Sequence, residues 1–270
     1  MHRRGAADVR PPYMFNLIKI KNMKETVALI DGDSLIYYEM GKPTLEEALL
    51  SIDSRINQMF EMTKASKYAG FLTSGRCFRY DVAKSRPYKG NRKYNDKPII
   101  FPAIKEYLRQ KWGFISVPEL EADDLVSVFH DPLRTVICSP DKDVLYQNKG
   151  IHYNYGKAET IVVDENQALT FLWKQMLMGD STDGIIGIPK IGTKTADKWL
   201  EPLIPNEMPT FVLNKYIEFF GQSAGITKFA ETFKLVYMLK TNDDVLRETG
   251  LVLDELKIYE VESHSDEEWV

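Results

Sequence analysis

The chain has 270 residues, 44% apolar and 27% charged, with a formal net charge of −4. That composition excludes a disordered chain and a uniformly basic nucleic-acid binder, and it suits one large domain or a domain with a smaller annex. Cys77 and Cys138 make no disulfide framework, the histidines lack zinc-type spacing, and no apolar run is long enough to span a membrane, so a reducing cytoplasm is the expected compartment.

Residues 1–22 carry arginines without an apolar signal core and read as a leader, or as residues ahead of the true start, with Met23 preceding the first strand. "TVALI" (26–30), "YAGFL" (68–72) and "RTVIC" (134–138) are short runs rich in strand formers, and each reads as a buried strand. Helical patterns at 44–64, 101–112 and 121–129 lie among them. This alternation predicts an α/β fold with a mostly parallel central sheet flanked by helices, in which ligands gather beyond the carboxyl ends of the strands. Polar groups stand at those ends: Asp31-Gly32-Asp33, then Thr73-Ser74-Gly75, then Ser139-Pro140-Asp141-Lys142-Asp143. The last third reads as helical at 165–179, 195–200, 211–220 and 228–240. The expected units are a leader at 1–22, an α/β core at 23–170 with a basic arch at 84–118, a helical C-terminal region at 171–250 and an acidic tail at 251–270, frayed over 262–270.

The acids form a pattern. "EADD" supplies Glu121 and Asp124, which share a helical face, with Asp123 beside them. Asp141 and Asp143 fall on one side of an extended segment, and Asp180 and Asp183 on one helical face or around one cap. Any one pair alone is also what a helix N-terminus carries. If Asp31 joins them, many carboxylates meet on one rim, and their repulsion calls for cations. Oxygen-only ligands favour Mg²⁺ or Mn²⁺, and two such ions suit in-line phosphoryl displacement. "KSRPYKGNRKYNDK" (84–97) is the strongest basic patch, with Tyr88 and Tyr94 interleaved. Its cations suit phosphates and its rings suit unpaired bases, although such a segment is equally a solvated loop. Trp112, Trp173 and Trp199 read as packing residues and Cys138 as an inert buried thiol.

Two families share these letters. "LIDGDSL", "GFLTSG" and "GDSTD" resemble the nucleophile, second motif and metal loop of haloacid-dehalogenase-like phosphatases, but that reading leaves "EADD", "SPDKD", the basic segment and "IIGIPKIGTKTA" without roles. The ordered series "LIDGD", "RPYKGNRK", "EADD", "SPDKDVLYQ" and "MGDSTDGIIGIPKIGTKTA" closely resembles the flap endonuclease/5′→3′ exonuclease superfamily, especially its bacteriophage members, over roughly residues 27–200.

That resemblance implies a PIN-like 5′-nuclease core with a helix-hairpin-helix in the C-terminal part. It implies metal-dependent hydrolysis of DNA phosphodiesters at 5′ ends or flaps, in replication. Asp31, Glu121, Asp123, Asp124 and Asp141 look like ligands around a first Mg²⁺ or Mn²⁺, and Asp143, Asp180 and Asp183 around a second. Lys89 and Arg92, with Asp31 and Asp141, look like the catalytic set. Tyr88, Lys89, Arg92, Lys93, Lys190, Gly192 and Lys194 look like DNA contacts, Tyr88 by stacking on a base. The family commonly holds K⁺ on backbone carbonyls of the hairpin. A monomer with DNA and replication proteins as partners is expected, in the host cytoplasm for a phage-encoded chain. One departure stands out. Many members carry an Asp where this chain has Thr73-Ser74-Gly75, so the first metal is expected to be held more weakly, with Asp33 as a substitute. A haloacid-dehalogenase-like phosphatase, a PIN-type ribonuclease and a weakened DNA-binding module remain as alternatives.

Overall fold

The computed structural model describes residues 25–90 and 99–261; the leader expected at 1–22 and the end of the expected tail lie outside them. Strand β1 (Val27–Asp31) is followed by helices α1 (Gly32–Glu39) and α2 (Leu45–Thr63), then β2 (Lys67–Phe71), α3 (Arg79–Val82), α4 (Ile100–Trp112) and α5 (Ala122–Val128). Next come β3 (Thr135–Cys138), α6 (Lys142–Tyr146) and the hairpin of β4 (Gly150–Asn154) and β5 (Glu159–Val163). The remainder comprises α7 (Glu165–Met178), the short pair β6 (Gly179–Asp180) and β7 (Ile185–Ile186), α8 (Thr193–Leu200), α9 (Met208–Phe220), α10 (Gln222–Val236), α11 (Asn242–Thr249) and β8 (Tyr259–Glu260).

The main sheet has six strands in the order β5-β4-β3-β1-β2-β8. The inner pairs β2/β1, β1/β3 and β3/β4 are parallel, while β5 and β8 close the edges antiparallel. The period of two decides which side each residue feeds. From β1, Ala28 and Ile30 enter one core with α2 and α4, while Val27 and Leu29 enter the opposite core with α5. β3 does the same with Val136 and Cys138 against Ile137. Both faces are covered, so the strands read as unbroken apolar runs, and each such buried side chain is worth roughly 1.5–3 kcal/mol. A third core joins Trp173, Met176, Val212 and Tyr216 of the helical part to Cys77 and Tyr88. Among the described residues no helix is long and apolar enough to cross a membrane.

Four boundaries differ from the sequence reading. The strands β4 and β5 and helix α11 were not foreseen. Residues 100–118 are not arch: α4 buries Phe101, Ile104 and Leu108, and Phe114 follows them into the same core. α7 runs unbroken through the expected division at 170/171. The first residues of the expected acidic tail bury Leu253 and add β8 to the sheet edge, with Tyr259 opposite and stacked on Tyr68, while the stretch expected to fray, 262–270, lies outside the described residues.

The crossing after α7 depends on two glycines. Gly179 has φ +72, and a Cβ there would lie 2.4 Å from the nitrogen of Gly187, while a Cβ on Gly187 would lie 2.4 Å from the nitrogen of Gly179. Two backbones touch with no room for a side chain. Gly187→Ala is expected to cost about 1–3 kcal/mol, since overpacking at this contact must displace backbone. Urea unfolding of the variant checks this, and an unchanged midpoint would refute the close-contact reading.

Candidate metal and phosphodiester site

The site grows from four chain segments that end at the same rim. Asp31 closes β1 and caps α1, its Oδ1 accepting the Ser34 N–H at 3.1 Å and its Oδ2 the Ser139 hydroxyl at 2.8 Å. It is fully buried beneath the open pocket. Asp141 caps α6 by accepting the Asp143 N–H at 2.8 Å. Glu121 stands at the start of α5, where its side chain is free of capping because the Thr73 hydroxyl oxygen accepts the Ala122 N–H at 3.0 Å instead. Asp180 accepts the Thr182 N–H at 2.7 Å in the β6–β7 turn. Several predicted ligands are therefore helix or turn caps, so the capping and clustering readings are both met by the same carboxylates.

Glu121, Asp123, Asp141, Asp143, Asp180 and Asp183 line one pocket with Lys89, Lys142, Arg79 and Tyr88. The Lys89 ammonium sits between Glu121 Oε1 at 2.5 Å and Asp183 Oδ2 at 3.7 Å. Its backbone N–H donates to the Asp183 carbonyl at 2.7 Å, and its φ of 54° is left-handed. A non-glycine residue holds that conformation only where its surroundings impose it. Tyr88 donates its hydroxyl to Glu121 at 2.8 Å. Arg79 uses all five N–H groups: Nε to Leu235 O (3.1 Å), Nη1 to Glu121 Oε2 (3.2 Å) and Asp124 Oδ2 (2.6 Å), Nη2 to Asp124 Oδ1 (2.7 Å) and Tyr237 O (2.9 Å).

The charges divide into two environments. Burial alone would raise Glu121, but Lys89 and Arg79 outweigh it and hold the carboxyl at about 2. Burial lifts Asp31 to about 6. Burial and then the neighbouring Asp141 lift Asp143 to about 7. Asp123 is pushed well up by burial and by Asp31, Asp141 and Glu121. Asp180 is burdened by burial yet ends lower, because Asp143 donates a hydrogen bond to it. One side of the pocket is thus neutralised by protein cations, and on the other the carboxyls are pushed up first by burial and then by neighbouring carboxylates.

Among the described residues no three of these side chains already gather around one point at ion-binding distance. Six of the eight ligands expected from sequence line this one pocket, interleaved with Lys89, Arg79 and Lys142. The residues nevertheless fit a hard divalent cation: every donor is oxygen, and the crowding that raises Asp143 and Asp123 is what such a cation relieves. Asp124 does not belong to this set. It is fully buried, both oxygens are taken by Arg79, and it faces away from the pocket lining. Tyr88 is not a stacking platform either: it is 5% exposed, with Tyr80 edge-on at 5.3 Å. Arg92 and Lys93 lie outside the described residues. Lys190 and Gly192 are exposed on the turn between β7 and α8 and Lys194 is exposed in the first turn of α8; none of them lines the carboxylate pocket, but they lie on the chain that continues from it. Ser74 is exposed and donates to Val117 O at 3.1 Å, and Asp33 accepts the Thr73 N–H at 3.2 Å, so neither adds a carboxylate to the pocket.

Sequence reasoning missed Arg79, Lys142 and Thr73. The available signal for Arg79 was its place between Phe78 and Tyr80, flanked by Cys77 and Val82, where a cation needs a buried partner. The phosphatase reading fails on Asp31, which has no exposed oxygen to act as a nucleophile, and on Asp33, which is engaged by the backbone.

No family model matches the chain. It is 29% identical over 208 residues to the 5′-3′ exonuclease of Buchnera aphidicola subsp. Acyrthosiphon pisum, covering 66% of this chain and 70% of that protein. Its fold matches the T5 D15 protein co-crystallised with metal ions at a TM-score of 0.61 and 16% identity, over 84% of this chain and 94% of that one. The chain thus resembles 5′-3′ exonucleases in sequence and shares the fold of a phage 5′-nuclease. It is also 25% identical over 210 residues to DNA polymerase I of Mycobacterium tuberculosis, of which it spans 23%. The T5 5′-exonuclease bound to zinc ions shares the fold, with a TM-score of 0.55 and 17% identity over 83% of this chain and 89% of that one.

Proposed function

We propose that this chain is a member of the flap endonuclease/5′→3′ exonuclease superfamily, a metal-dependent 5′→3′ exonuclease and structure-specific 5′-flap endonuclease that hydrolyses DNA phosphodiesters. The observation that carries this is continuity. Asp180 at the end of β6 and Asp183 in the β6–β7 turn face the carboxylate pocket, and the same chain runs on through the exposed Lys190 and Gly192 into the first turn of α8 with Lys194. Glycine at 192 leaves open space around the backbone, where N–H groups can approach a duplex phosphate. A duplex gripped there has its register set relative to the acids.

Glu121, Asp123 and Asp141 would hold one Mg²⁺ or Mn²⁺ ion and Asp143, Asp180 and Asp183 a second, with Asp31 behind Asp123. Such ions, when bound, acidify water and neutralise charge on the departing 3′-oxygen. Lys89 exchanges its carboxylates for the scissile phosphate and stabilises the charge that develops on it. Arg92 and Lys93 extend the basic segment along the 5′ strand. K⁺ on the hairpin carbonyls, a monomeric state, replication proteins as partners and a cytoplasmic setting belong to the same proposal.

The test is cleavage of a labelled 5′ flap with Mg²⁺. Cleavage lost in Asp183→Ala supports the reading. Phosphate release from small phosphomonoesters with the DNA intact would overturn it. Lys194→Ala is expected to weaken duplex binding and to flatten its salt dependence by about one unit of log–log slope. An unaltered slope would remove the hairpin from the DNA contact.

Metal binding should release protons. In the metal-free protein Asp31 and Asp143 are raised to about 6 and about 7, so the stability their protonated forms contribute is present in acid and is lost as pH rises through that range. A divalent ion needs the ionised forms. The thermal stabilisation given by Mn²⁺ is therefore expected to be larger at about pH 8 than at about pH 5.5. Equal shifts at the two pH values would argue against these carboxylates as ligands.

A further inference from the structure

Helix α10 carries a carboxylate with an unusual set of partners. Glu231 Oε1 accepts the backbone N–H groups of Lys84 and Ser85, both at 2.6 Å, and Oε2 accepts the Ser85 hydroxyl at 2.5 Å. Lys228, one turn earlier, reaches the same hydroxyl at 3.3 Å. Two consecutive N–H groups thus converge on one anion at the point where the chain leaves α3. Five residues later the same segment is fixed again, with the Lys89 N–H on the Asp183 carbonyl and the Gly90 N–H on the Pro87 carbonyl at 3.1 Å.

The residues between these two anchors are stiff. Pro87 fixes its own φ and biases Arg86 toward an extended backbone, so a shift at Ser85 is passed along rather than absorbed. It arrives at Lys89, whose left-handed backbone survives only while both anchors hold it. Resting on the nuclease reading above, we propose that Glu231 is a positioning residue for cleavage: by fixing Lys84 and Ser85 it sets the register in which Lys89 enters the carboxylate pocket. Glu231 touches no substrate. It acts through Lys89, and it does so from the helix whose next residue, Thr232, donates to the Ile186 carbonyl of the β6–β7 pair at 3.4 Å. One turn of α10 therefore braces both the lysine and the start of the duplex grip.

A double-mutant cycle tests this on the full chain, with a labelled 5′ flap and Mg²⁺. Glu231→Ala is expected to lower kcat about tenfold to a hundredfold with KM within about twofold, as misplacement of a catalytic group does. In the Lys89→Ala background the same change is expected to have almost no further effect. Amide exchange of Lys84, Ser85 and Lys89 should speed up together in the substrate-free Glu231→Ala protein. Additive losses in the cycle, or unchanged exchange at Lys89, would overturn the proposal while leaving the nuclease reading intact. A native chain that cleaves no flap with any divalent ion would overturn both. Thermal unfolding checks that the variant folds, and if Glu231→Ala does not, Glu231→Gln runs through the same cycle and decides by the same additivity criterion.

Discussion

Lys89→Ala is expected to lower flap-cleavage turnover by about a hundredfold to a thousandfold while leaving duplex affinity nearly unchanged, the size of loss seen when one preorganised electrostatic donor is removed. The ammonium lies inside the pocket, touching Glu121 and close to Asp183, and its backbone is locked by the Asp183 carbonyl. Its backbone is fixed before a phosphate arrives, so its action requires only that the ammonium exchange its carboxylate partners for the phosphate. The fold should survive, because Glu121 keeps Arg79 and the Tyr88 hydroxyl as partners. Duplex affinity should survive because the exposed turn around Lys194 is untouched. With Lys89 gone, the Glu121 carboxyl is expected to move up from about 2, shrinking a stabilisation that is present above the ordinary Glu range and lost as pH falls through its folded value. Single-turnover cleavage with a parallel binding titration separates the effects. Unchanged turnover would remove Lys89 from the chemistry, and a collapse of binding would make it a docking residue.

The second large effect is structural. Arg79→Met is expected to cost about 3–5 kcal/mol, because it strands the carboxylate of Asp124 in the interior without its bidentate partner. Asp124 is wholly buried, and its Oδ1 also accepts the Leu239 N–H at 3.3 Å. The carbonyls of Leu235 and Tyr237 lose their donors at the same time. Urea unfolding of Arg79→Met against Arg79→Met/Asp124→Leu checks the cause. If the buried charge dominates, the double variant recovers much of the loss. If both variants fall equally, the carbonyl contacts matter more. Arg79→Lys should rescue poorly, since three N–H groups on a point charge cannot replace five in a planar fork.

Much of this was legible in the sequence, for physical reasons that differ by region. The strands β1, β2 and β3 are buried on both faces, so their apolar runs carry an unambiguous signal. β4 and β5 form an edge hairpin with His152, Asn154 and Thr160 in it, and that mixed pattern resembles a loop. The order of the acidic motifs located the pocket, because each motif ends a strand or starts a helix at one rim. What each acid does there was not legible. Asp124 and Asp123 are adjacent letters, yet a helix turns one toward a buried guanidinium and the other toward the pocket. Tyr88 beside Lys89 looked like a stacking pair, but the third core claims its ring and only its hydroxyl reaches the site. Long-range partners such as Glu231 for Ser85 leave no local trace, since 146 residues separate them.

The seating of Arg79 also carries a message about synthesis. Every carboxylate assigned to the pocket lies at or before residue 183, whereas the carbonyls that hold Arg79 lie 156 and 158 residues downstream of it. A nascent chain that has emerged only as far as α8 therefore possesses the complete chemical inventory without the brace that aims Glu121. Contacts of such sequence separation close late in folding. Hydrolytic competence is accordingly expected to switch on near the end of translation rather than when the motifs first appear, and a product ending before residue 235 would carry every recognisable signature while lacking the geometry to use it.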